Sequence, residues 1–228
     1  MHNKVQGRGK LVALVTVCSL GLGSEPVSIS EPVPKLTVRV YSTSELSAHI
    51  LGCALQRVQQ TFEAAEIKIE WVSSTSATLY ARSESGSGST GQLVRLAILP
   101  ESPLSSWLRS HQVFGATSAG SVYVFYGNLR QFARLCDMAE PDVLAVVLAH
   151  ELAHAVGVDH LSHGLTRGLM SARFEPRDVV AFAQKLRFTP EESALIRVRL
   201  RSAVDRDHGT NHADSGVVRA NLYRHFTP

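Results

Sequence analysis

The chain is 228 residues long, 44% hydrophobic and 19% charged, with a mean hydropathy of +0.03. That length supports one good-sized domain and allows a second, and the composition suits a water-soluble globular core rather than a disordered chain. Lys4, Arg8 and Lys10 account for the whole formal charge of +3, so the remainder balances at 20 basic and 20 acidic residues and gives no support to nucleic-acid binding.

In chain order, those three cations precede an apolar run over residues 11–22 with small residues behind it. This is the form of a secretory signal, and the run is too short to span a bilayer as a helix. The expectation is a signal peptide over 1–23 and export to the periplasm or beyond. Cys18 raises a lipid anchor, but Val17 before it is bulkier than a lipobox prefers. Residues 24–34 hold Pro26, Pro32 and Pro34 and read as a linker. Cys53 and Cys136 remain in the mature chain; an exported protein can pair them, and their positions in sequence do not say whether it does.

Leu36, Val38 and Val40 alternate with Thr37 and Arg39, which predicts a strand over 35–41. Ser44 is the expected cap of the following helix, whose apolar positions 50, 51, 54, 55, 58 and 62 recur at three- and four-residue steps. Ile67, Ile69 and Trp71 mark a second strand, a Ser/Thr/Gly-rich loop fills 73–91, and 92–99 is a third strand ended by Pro100. Residues 102–112 read as irregular, 113–119 as a short edge strand, 121–126 as a strong β run and 128–135 as a short helical turn. The expected fold class is α+β, a twisted mixed sheet of four to five strands with helices packed on it. Pro176 starts a short helix, and Thr189-Pro190-Glu191-Glu192 is a capping box launching a helix through Leu200. Residues 204–228 read as a polar tail.

The chemistry sits in His150-Glu151-Leu152-Ala153-His154-Ala155-Val156-Gly157-Val158-Asp159-His160. Pro141 and Asp142 open a helix there and 143–149 continue it as an apolar run. Residues four apart share a helical face, so His150 and His154 present two imidazoles to one point. Burying two histidines and a glutamate on an apolar helix is costly without a metal to satisfy them. Gly157 arrives where the helix has to stop, since glycine tolerates the left-handed conformation of such a stop. His160 can then swing back as a third ligand, with Glu151 beside the metal as general base. Gly168-Leu169-Met170 follows ten residues beyond His160.

The pattern H-E-x-x-H-x-x-G-x-x-H resembles the signature of metzincin zinc endopeptidases, and residues 35–203 resemble their catalytic domain. The compact spacing from His160 to Met170, the strand 122–126 and the Phe188-Thr189-Pro190-Glu191 helix start look most like small exported bacterial matrixins. The resemblance implies Zn2+ held by His150, His154 and His160, Glu151 as the catalytic base, Gly157 as the turn and Met170 as a Met-turn floor that does not bind the metal. It also implies a peptide or protein substrate laid along the edge strand 113–119, in a monomer with no membrane span. Leu161 and Ser171-Ala172 depart from the usual matrixin residues at those places, no tyrosine stands two residues after Met170, and no cysteine-switch propeptide is present.

Two other readings compete. One is a zinc-bound but inactive interaction module, against which the intact Glu151 argues. The other takes Glu175 as third ligand, which leaves the Gly157 turn without a purpose. His111, His163, His208, His212 and His225 read as solvated rather than ligating.

Overall fold

The computed structural model describes residues 32–42, 46–73, 92–100, 113–161, 168–171 and 176–209. They form a mixed α+β fold: β1 (Lys35–Ser42), α1 (Ala48–Ala64), β2 (Lys68–Ser73), β3 (Gln92–Leu99), β4 (Gly115–Ser118), β5 (Ser121–Phe125), α2 (Tyr126–Leu135), α3 (Glu140–Ala155), α4 (Pro176–Gln184) and α5 (Pro190–Gly209). The five strands make one sheet in the order β2-β1-β3-β5-β4. Neighbours run parallel except β4, which pairs antiparallel with β5 and forms an edge.

Four of the eight residues in each inner strand, β1 and β3, are buried, and three of each four lie on one face of the sheet. Leu36, Val38, Val94, Leu96, Ile98, Val122 and Val124 are almost fully buried and share one core with α1 and α3. The β4–β5 connection turns in two residues, Ala119 and Gly120, both at positive φ (46° and 73°), which is the type I′ geometry that matches strand twist. This turn fixes register, pairing Thr117 with Val122 and Gly115 with Val124. Gly115 and Thr117, two apart, therefore share the inward face of β4.

Helix α3 is the middle of the molecule. Val143, Leu144, Ala145, Val146, Leu148, Ala149, His150, Glu151, Leu152, Ala153 and Ala155 are all buried, because α1, α2, α4, β4 and β5 pack around it. Its first turn is tied down by two side chains: Arg57 of α1 donates to the Asp142 carboxylate and to Ala183 O of α4, and Tyr126 donates its hydroxyl proton to the Glu140 carboxylate. Gln92 Nε2 donates to Ala155 O at 3.0 Å, satisfying a carbonyl at the other end.

Three local expectations are corrected. Ser47, not Ser44, caps α1, accepting from His49 N at 3.2 Å; Ser44 lies outside the described residues. Residue 126 is already helical, so α2 is a ten-residue helix rather than a turn. Helix α5 continues to Gly209, past Leu200 and into the expected tail, because no Gly or Pro interrupts its ordinary helix formers before residue 209. The signal 1–23, Cys18 and the tail beyond 209 lie outside the described residues. Cys53 and Cys136 are free, and among the described residues no helix is long and apolar enough to cross a membrane.

Candidate metal centre

The site is built by the way α3 ends. Gly157 N donates to His154 O at 2.9 Å and Val158 N donates to Ala153 O at 3.1 Å, the two bonds of a Schellman cap, with Gly157 at φ +91°. The cap turns the chain across the helix end so that Val158 O meets His154 Nδ1 at 2.7 Å. Two residues later His160 comes back to the helix.

The three imidazoles converge. His150 and His154 Nε2 are 3.0 Å apart, His154 and His160 Nε2 3.1 Å, and His160 and His150 Nε2 3.3 Å. His150 is buried and the other two partly so. Hydrogen bonds set the tautomers of the first two: His150 Nδ1 faces Leu169 O at 2.7 Å and His154 Nδ1 faces Val158 O. A carbonyl only accepts, so each Nδ1 carries the proton and each neutral Nε2 carries a lone pair. Burial holds His154 below its ordinary pKa, outweighing the opposite pull of Val158 O and Asp159. Two such lone pairs 3.0 Å apart call for a shared cation, and a metal ion held between them supplies one. The edges of the triangle also approach the ~3.3 Å between nitrogens that each lie about 2.0–2.1 Å from a tetrahedral metal. The donor set fits a metal ion.

Glu151 follows His150 on the helix and is 1% exposed. Burial pushes its carboxyl up to about 7, against a smaller lowering by the Thr117 hydroxyl. Thr117 Oγ1 lies 2.7 Å from Glu151 Oε2 and 3.1 Å from Glu151 O. On the same face of β4, a Cβ at Gly115 would stand 2.8 Å from both Glu151 Cγ and Oε1, so only glycine leaves room for this carboxyl.

Elsewhere around α3, a turn at Gly168–Met170 supplies Leu169 O to His150. Met170 is fully buried. Its N donates to Glu192 Oε1 at 2.6 Å and its O accepts from Leu161 N, next to His160, at 3.2 Å. Glu192 is itself 1% exposed and also accepts from Thr189 N at 2.8 Å, while Glu192 N donates to Thr189 Oγ1 at 3.2 Å. One carboxylate thus closes the capping box of α5 and grips the turn behind the histidines. A Cβ at Gly168 would stand 2.2 Å from Glu192 Oε1, which explains the glycine there.

His150, His154 and His160 are thereby brought together, and Glu151, Gly157 and Met170 take the places just given. Glu175, His111, His163, His212 and His225 lie outside the described residues, as does the His208 side chain. Thr117, Gly115 and the second role of Glu192 are not read from the sequence. The capping box is a visible signal for Glu192, but only for its bond to residue 189. Searches against protein-family models and against curated proteins find no match to this chain.

Proposed function

We propose that this chain is an exported zinc endopeptidase of the metzincin type, hydrolysing peptide bonds with Glu151 as general base. One observation carries the reading: the Nε2 atoms of three imidazoles lie within 3.3 Å of one another, and a buried carboxyl, Glu151, stands next to the first of them in the same helix. The parallel sheet with one antiparallel edge, the long α1 and the buried Met170 turn support the zincin-type fold.

His150, His154 and His160 would hold the metal through Nε2. When bound, zinc lowers the pKa of a coordinated water towards ~7 and polarises a substrate carbonyl. Glu151 takes the proton of the attacking water on its carboxylate and returns it to the leaving amine. The substrate lies extended along β4, the edge strand among the described residues, adding a strand to the sheet there.

The test is metal analysis of the purified protein together with cleavage of a peptide library. The zinc-loaded chain should hydrolyse peptides. Glu151→Ala should keep its metal and lose at least about 10^2–10^4 in rate. A zinc-loaded parent that cleaves nothing would favour the interaction module; a Glu151→Ala protein that still cleaves would remove Glu151 from the chemistry.

A further inference from the structure

We infer that Thr117, on the inward face of edge strand β4, is a positioning residue for Glu151, and that Gly115 provides the space in which it does so. This rests on the peptidase reading for its catalytic consequence, though not for the contact itself. Glu151 is 1% exposed and Thr117 9%, so the 2.7 Å bond to Oε2 is made away from water, where a lost partner is not replaced. Thr117 Oγ1 also lies 3.1 Å from the Glu151 main-chain carbonyl. Its single proton is shared between the two acceptors, with the shorter contact to Oε2, so the hydroxyl bridges the side chain and the backbone of one residue.

Gly115 acts on the other oxygen. With no Cβ, the strand lets Oε1 and Cγ approach to distances that any side chain would forbid. The carboxyl is thus held at Oε2 by a hydroxyl and seated at Oε1 on bare backbone. Both features come from alternate residues of a four-residue strand whose register is fixed by the Ala119–Gly120 turn. The strand proposed to seat the substrate is also the strand that aims the base. A hydroxyl at position 117 and no side chain at position 115 are two independent requirements for one geometry.

The experiment uses the full chain with Thr117→Val, Thr117→Ser and Gly115→Ala, each assayed zinc-loaded and melted metal-free. Thr117→Val keeps the shape and removes the hydroxyl. It should bind zinc like the parent, keep KM within about twofold and lose about 10- to 100-fold in kcat, the scale of a misplaced catalytic group. Thr117→Ser should recover most of that loss, which a purely space-filling role would not allow. Gly115→Ala should lower kcat by a similar factor with zinc retained. Unchanged kcat in Thr117→Val, or equal loss in Thr117→Ser, overturns the proposal. If the parent proves inactive, the peptidase reading fails, and the metal-free melts still decide whether the contact holds. Thr117→Val should then lower Tm in the parent but not in a Glu151→Met background. Equal shifts in both backgrounds would show that Thr117 does not hold Glu151.

Discussion

The two flanks of α3 grip their residues differently. On the β4 side a side-chain hydroxyl and a missing Cβ act directly on Glu151. On the Met170 side the grip is relayed: Glu192 holds Met170 N, and the adjoining carbonyl of Leu169 holds His150. The difference separates two properties that sit one residue apart. Damage on the first flank should change the handling of a proton, and damage on the second should change the holding of a metal.

The sharpest break of this division is removal of a ligand. His160→Ala should abolish tight zinc binding, measured as stoichiometry after dialysis, whereas Glu175→Ala should leave it nearly unchanged. The reverse pattern would place the third ligand at residue 175 and remove the reason for the Gly157 turn. A smaller effect tests the relay. Glu192→Ala takes the acceptor from the buried amide of Met170, at about 1–3 kcal/mol, and from the part-buried amide of Thr189, at less. Metal release to a chelator should speed up by about 10–100-fold, the usual scale for losing support behind a ligand. If release is as slow as in the parent, the metal site does not depend on that turn. The smallest effect belongs to Met170→Leu, a swap of similar volume at a fully buried position. It should retain zinc and cost under ~1.5 kcal/mol in thermal unfolding.

What is legible in the sequence is local along the chain. His150 and His154 are one turn apart on a helix, and Gly157 marks its end, so their convergence follows from helical geometry alone. Strand β3 is equally readable, bounded by Gln92 and Pro100. The contacts that refine the site are not local. Thr117 reaches Glu151 across 34 residues and Glu192 reaches Met170 across 22, through strand register and helix docking that no periodicity encodes. The end of α5 escapes for another reason: a helix can continue on propensity when it has no apolar stripe to reveal it.

The cap that ends α3 has a consequence for local opening. Because Val158 O orients His154 and Gly157 N closes on His154 O, the last turn cannot come apart without scattering the nitrogens. A cation bound only by the closed turn raises the free energy of opening by mass action, about 4 kcal/mol at a thousandfold excess over Kd. Helix ends are ordinarily where fraying begins and amide protons exchange first. Here the metal would invert that order, and the amides of Gly157 and Val158 would exchange on the timescale of metal release rather than of fraying.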